Sequence, residues 1–240
     1  MSIAFNYSVH YAKVTLVYLS GLALMTDTQT RKKWKQDPEA VQANILAAAA
    51  EEFAEHGLTG ARVDEIAART RTSKRMIYYY FGDKESLYRQ VLEEAYRKVR
   101  SEEAALDLTS LAPLDALRRL VEFTFDHHRA NEVFIRLVMI ENVHKGRHLS
   151  ESSLIARVNA SAIERIEDIC ARGQKDGSIR PDVSPHELHW LISAACFFNI
   201  SNRFSFGISF DKSLFSEPGQ HKLRALTCDA VIAAARGKVS

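Results

Sequence analysis

The chain has 240 residues, 46% hydrophobic and 26% charged. That is the composition of a globular protein, not of a disordered one, and it allows one large domain or two unequal ones. A formal charge of +2 is too mild to demand a polyanionic partner, so such a partner has to be read from local clustering.

Residues 1–24 differ from the rest. Lys13 precedes VTLVYLSGLAL, an apolar run much shorter than a membrane span. It has the length of a signal-peptide core but lacks a small-x-small cleavage site. We expect translation to begin at Met25, with the preceding residues an upstream misreading and no membrane attachment; anchoring through residues 14–24 is the minority alternative. Arg31, Lys32, Lys33, Trp34 and Lys35 then form a basic arm, either a soluble tail or a segment that tracks a minor groove. Residues 1–37 are thus read as leader plus arm.

Asp37-Pro38 supplies an N-cap and a first-turn proline. The helix they start carries Val41, Ile45, Leu46, Ala49 and Phe53 at helical spacing and stops at His56-Gly57. A short second helix holds Val63, Ile66 and Ala67. A tight turn near Arg71-Thr72 leads to a third, capped by Ser73. Gly82-Asp83 ends that helix and caps a fourth, with Leu87, Val91, Leu92, Tyr96 and Val99 on its apolar stripe. Longer helices follow: from Pro113 to His128, from Glu132 to about Val143, from about Ser150 to Asp176, from Ser184-Pro185 to about Arg203, and from about His221 to Arg236, with residues 204–218 read as a loop. Glycine and proline are scarce (10 and 5), and no run reads as a strand ladder with hairpin turns, so the fold class is all-α. Cys170, Cys196 and Cys228 are widely spaced in apolar helical contexts. They read as buried free thiols in a reducing compartment, which places the protein in the cytoplasm.

Three helices within about 45 residues, the last two short and joined by a tight turn, match the helix-turn-helix plan, in which the second helix of the pair enters the major groove. The third helix reads KRMIYYYF. Ile77 and Phe81, four apart, face the core, which leaves Lys74, Arg75, Tyr78 and Tyr79 on the groove side. Cations meet phosphates or guanine edges, and tyrosine offers a hydroxyl to phosphate and a ring to sugar or thymine methyl. A surface pressed on DNA wants both.

Residues 41–95 resemble the DNA-binding domain of the TetR family of transcription regulators. The motifs that carry the resemblance are F-x-x-x-G from Phe53, V-x-x-I-A from Val63, and S-K-x-x-x-Y-x-Y-F-x-x-K-E-x-L-Y from Ser73. The resemblance implies a three-helix DNA-binding domain, 38–83, followed by a helical effector-binding and dimerisation domain, 84–240. It also implies a homodimer on a palindromic operator, most often a repressor released by a small-molecule effector. Lys74 and Arg75 then match the start of the recognition helix, behind the Ser73 cap, and Tyr78 and Tyr79 match groove and backbone contacts. Tyr80 sits where many members have a phosphate-contacting histidine, although packing alone is an equal alternative. Lys84, at a helix N-terminus, and Arg62 match phosphate contacts. The chain departs from the pattern at Arg71, where glycine is usual, and at Thr72; Arg71 there can also reach a phosphate. Arg69 reads as a solvated charge.

The C-terminal half offers no catalytic spacing and no metal or other cofactor set. His127-His128, His144-His148 and His186-x-x-His189 are the only tempting constellations; His144 and His148 are four apart, but Gly146 lies between and no acid or cysteine completes a site, so exposed or loop histidines are the reading. Phe123, His127, Phe134, Met139, Asn142, Trp190, Phe197, Phe198 and Asn199 are candidates to line an apolar cavity with a few polar handles; Phe197-Phe198-Asn199 is the preferred group. The helices over about 184–203 and 221–236 resemble the family's dimer-forming pair, where Ala194, Ala195, Ala225 and Ala230 permit close approach. The function expected is a ligand-responsive, DNA-binding transcriptional regulator, a homodimeric repressor and not an enzyme. The alternatives are a regulator answering to a protein partner and a helical metal-dependent hydrolase.

Overall fold

The computed structural model describes residues 37–236; the leader and the Arg31–Lys35 arm lie outside the described residues. Two compact units divide the chain after Asn44. In the first, the Asp37 carboxylate accepts the Ala40 amide at 3.0 Å and opens helix α1, Pro38–Gly60. All remaining elements belong to the second.

Helix α1 breaks at Gly57, whose φ of 68° is the left-handed geometry that favours glycine. Helices α2 (Val63–Thr70) and α3 (Lys74–Phe81) follow. Between them Arg71 takes up φ 51°, ψ 32°, the left-handed position anticipated from the missing glycine. Its amide reaches the Ala68 carbonyl and that of Thr72 reaches Ala67, the paired bonds of a Schellman end. The strain of a side chain there is therefore offset by satisfied carbonyls. Glu52, fully buried on α1, accepts the Arg62 amide at 3.0 Å and pairs with Arg69 at 3.1 Å, so Arg69, exposed as expected, also ties α2 to α1. Phe53, Ile66, Ile77 and Phe81 form the small core beneath.

Helix α4 (Lys84–Ala104) is capped by Asp83, which accepts the Ser86 amide at 2.7 Å; those hydrogen bonds hold its carboxyl below the usual range. At about 1.5 Å per residue its length approaches 30 Å, enough to run from the head into the body. The body consists of α5 (Pro113–Ala130), α6 (Glu132–Val143), the single turn α7 (Arg147–Ser150), α8 (Ser153–Asp176), α9 (Pro185–Ser201), α10 (Arg203–Ser209) and α11 (Glu217–Ala235). Leu117, Val121, Phe125, Ile166, Ile169, Ile192, Cys196 and Val231 are the centre of its core. Gly173 of α8 lies against Ile179, where a Cβ would meet the isoleucine at 2.5 Å.

Among the described residues every named element is helical, apart from one isolated bridge between Ile179 and Arg236. None of these helices is long and apolar enough to cross a membrane. All three cysteines are buried and free, and burial pushes the Cys196 thiol up to about 12. The expected loop at 204–218 is instead α10, a 3₁₀ turn (Lys212–Phe215) and the first turn of α11. Asp211 and Ser216 cap the last two, accepting the amides of Ser213 and Gly219, so short polar caps carry helices across a stretch that looked like punctuation.

Candidate nucleic-acid interface and internal cavity

Helix α3 presents two unlike faces. Ile77 and Phe81 are buried, while Met76, Tyr78 and Tyr79 point outward, Tyr79 with 77% of its surface exposed. Ser73 is taken up in capping: its hydroxyl accepts the Met76 amide at 3.2 Å, which aims the helix start, with Lys74 and Arg75, away from the core. Lys74 lies 3.1 Å from Asp64 of α2, and both are exposed. Such a surface pair contributes about 1 kcal/mol or less and yields easily to a phosphate. Tyr80 is half-buried, its ring edge-on between Tyr79 and Phe81, with part of its surface turned to solvent.

Arg62 is exposed at the N-cap of α2. Lys84, the first residue of α4, donates to the Thr59 carbonyl near the end of α1 at 3.2 Å; the N-terminus of α4 is where the helix dipole favours an anion. Arg62, Arg71, Ser73, Lys74, Arg75, Tyr79 and Lys84 thus belong to one stretch of 23 residues, with cations at helix starts and exposed rings on α3. That arrangement can grip a polyanion and read base edges.

A second feature lies in the body: a cavity of about 590 Å³, open to one side, lined by α4, α5, α6, α8 and α9. Phe123, His127, Asn142, Trp190 and Phe197, with Phe134, line it as expected from spacing, and Trp190, 71% exposed, stands at its mouth. Three expected residues are elsewhere. Met139 is exposed on another face of α6. Phe198, one residue past Phe197, points outward and meets the edge of Phe206. Asn199 is buried but pairs its amide with that of Gln220, at 2.9 and 3.0 Å, which consumes the polar handle it was meant to offer. The preferred trio is therefore split, because three consecutive helical residues cannot share one face.

The spacing argument missed the polar lining. Arg100 and Glu103 of α4, His128 of α5, Asn159 of α8 and His189 of α9 all face the cavity. Arg100 is ion-paired with Glu103 and donates to Asn159 at 3.2 Å. Burial, with the Arg100 charge among the further causes, pushes His127, His128 and His189 below the usual imidazole range, His128 down to about 3. The His127-His128 doublet was the available signal: two adjacent histidines on an otherwise amphipathic helix.

Between head and cavity lies a buried acid. Glu141 of α6 accepts the His148 amide at 3.0 Å and the Leu149 amide at 3.2 Å, and meets His148 Nδ1 at 2.9 Å. His148 is therefore a core residue and not the exposed or loop histidine expected. Its ring packs edge-on against Tyr88 of α4, which in turn packs edge-on against Phe53 of α1, each at 5.0 Å.

Comparison with known proteins agrees with both halves. Residues 45–91 match the description of bacterial regulatory proteins of the tetR family. Residues 113–231 match that of the tetracyclin repressor-like C-terminal domain. The chain is similar to the HTH-type transcriptional repressor NicS of Pseudomonas putida, 36% identical over 177 residues that cover 73% of this chain and 84% of that one. It is also similar to the HTH-type transcriptional repressor SCO4008 of Streptomyces coelicolor, 33% identical over 162 residues, 66% of this chain and 78% of the other. Among solved structures, the SCO4942 regulator from Streptomyces coelicolor superposes with a TM-score of 0.64 at 29% identity, over 81% of this chain and 98% of that one.

Proposed function

The chain belongs to the TetR family of bacterial regulatory proteins, and on that premise we propose that it is a homodimeric, ligand-responsive repressor that binds a palindromic operator. Residues 38–83 are the DNA-binding head, and 84–240 the effector-binding and dimerisation body. Lys74 and Arg75 read bases; Arg62, Arg71, Tyr78, Tyr79, Tyr80 and Lys84 hold sugar and phosphate; Ser73 sets the angle of the helix.

The observation that carries this reading is the continuity of α4. Its first residue, Lys84, stands beside the recognition surface, and its far end supplies Tyr96, Val99 and Arg100 to the cavity. One rigid helix therefore touches both ligands. A small molecule that binds the cavity better in one setting of α4 than in the other biases the heads by its differential affinity. The cavity and its polar lining support a small molecule as that ligand.

Dimerisation is assigned to α9 and α11. Trp190, Phe198 and Leu226 are large exposed apolar side chains on these helices, and Ala194, Ala225 and Ala230 leave room for close approach. Large apolar side chains left exposed on packed helices are what an interaction site offers.

The experiment is operator selection from genomic DNA with the purified full chain, followed by binding to the recovered fragment. The reading predicts a palindromic site bound by two chains. Recovery of no specific fragment would overturn it.

A further inference from the structure

The cavity's polar lining limits the chemistry of its occupant. His127 and His128 are 7% and 8% exposed, and both face the cavity. His127 Nδ1 and Nε2 and His128 Nδ1 are buried without a hydrogen-bond partner among the described residues. Nε2 of His127 lies 3.4 Å from a Glu102 carboxylate oxygen without bonding it. A buried polar atom left unpaired is costly, so these nitrogens await a partner from outside the chain.

Charge decides which partner. Arg100 is already matched by Glu103 and by the Asn159 side-chain amide oxygen. An anion arriving at the doublet would meet Glu102 and Glu103, while the cations that act there are already engaged, Arg100 by Glu103 and Lys98 by the Asn131 amide oxygen at 3.2 Å; a cation would meet Arg100 and Lys98. A neutral imidazole has one donating and one accepting nitrogen. The rings are packed on aromatics: His128 stacks on Phe134 at 11° between planes, and His127 lies against Phe123 with centroids 5.6 Å apart. That lining accepts a flat, apolar frame.

We propose that the ligand of this cavity is an uncharged, flat molecule that presents a hydrogen-bond donor beside an acceptor, the pattern of a cyclic amide, to His127 and His128. This rests on the reading of the cavity as the effector site. It assigns to the doublet the selection of neutral over charged effectors.

The test uses the full chain and three probes of similar size in calorimetry at neutral pH: 2-quinolone (a neutral cyclic amide), 2-naphthoate (an anion) and 1-naphthylmethylamine (a cation). The amide is expected to bind at least about tenfold more tightly than either charged probe. Equal or tighter binding of 2-naphthoate or of the amine, or no binding of the amide, would overturn the proposal. A His127→Phe/His128→Phe variant keeps both rings and removes the nitrogens. It should lose the amide by about tenfold or more while still binding naphthalene, which shows that the cavity is intact. Retention of the amide by that variant would also overturn the proposal, and should the variant not fold, the ranking of probes in the unmodified chain decides. Operator release is read separately: amide binding that leaves operator affinity unchanged would refute the regulatory reading of the cavity and leave the ligand class standing.

Discussion

Arg75 has no ion-pair partner among the described residues, whereas Lys84, the first residue of α4, is already seated on the Thr59 carbonyl near the end of α1. The two should fail differently. Arg75→Ala is expected to relax preference at one or two operator positions, about 1–3 kcal/mol each, as its proposed base-reading role requires. Lys84→Ala should weaken all sequences alike, because a phosphate carries no base identity. Affinities for a set of single-base operator variants measure both, and altered base preference in Lys84→Ala alone would reverse the assignment. His128 makes a second prediction. Burial holds its folded-state pKa near 3, against an ordinary value of 6.5. Below pH 6.5 the unfolded chain takes up a proton that the folded chain refuses, so stability falls as pH drops from 6.5 toward 3. One such group contributes a slope of up to about 1.4 kcal/mol per pH unit. Denaturant unfolding at pH 6.5 and 5.5 should show a shallower loss in His128→Phe than in the parent, and equal slopes would mean that His128 is protonated in the folded chain.

At the scale of elements, α6 is the part that both sites touch. One face gives Phe134, Val138 and Asn142 to the cavity. The next residue back from Asn142, Glu141, grips the start of α7 and seats His148 beneath Tyr88 of α4. Tyr88 in turn meets Phe53 of the head. A ligand that shifts α6 therefore shifts the seat under α4 where it leaves the DNA-binding helices. Glu141→Gln keeps the shape and removes the charge that fastens His148. It should leave operator and effector affinities, each measured alone, within severalfold, while the factor by which one weakens the other falls toward one. That factor must come out the same from either direction. An unchanged factor would place the coupling elsewhere, in the Arg89–Glu151 or Arg147–Glu85 surface pairs that also tie α4 to the turn after α6. Within the cavity, Phe197→Trp replaces the filling experiment that sequence spacing would have assigned to Phe198. It should reduce effector binding and leave operator affinity within severalfold in an operator-binding assay, and loss of both together would make Phe197 a core residue.

At the scale of the whole molecule, the proposed homodimer would read its operator with two heads. Recognition helices of such a dimer stand about 34–36 Å apart, or a multiple of that, to enter successive major grooves. Leu226 is 64% exposed on α11. Leu226→Glu should therefore fold as a monomer in sedimentation and lose operator affinity without losing its fold. A stable dimer with that substitution would move the interface off α11. The same dimer sets the salt dependence. If Arg62, Lys74, Arg75 and Lys84 of both chains meet phosphates, the slope of log affinity against log salt should approach roughly −7, at about 0.9 per phosphate. An affinity that does not change with salt would remove these cations from the interface.

What the sequence determined by itself was local. Asp37-Pro38, Ser73, Asp83 and Ser184-Pro185 start helices because their side chains or rings satisfy the first turn wherever the helix lies. Gly57 and Arg71 end helices for the same kind of reason, in the turn's own φ and ψ. The basic-aromatic face of α3 was legible because only two of its eight residues, Ile77 and Phe81, are needed by the core. The cavity was only half legible. Helix α9 is apolar nearly all round its middle, so no period tells Phe197, which lines the cavity, from Phe198, which leaves it. Asn199 finds its partner in Gln220 and His148 in Glu141, pairs that exist only once helices distant in the chain or folded back on one another are packed. The polar lining of Arg100, His128, Asn159 and His189 comes from four different helices. Capping is settled within a few residues and so is written in the sequence; which side of a helix meets a void is settled by where the other helices stand, and only tertiary packing decides that.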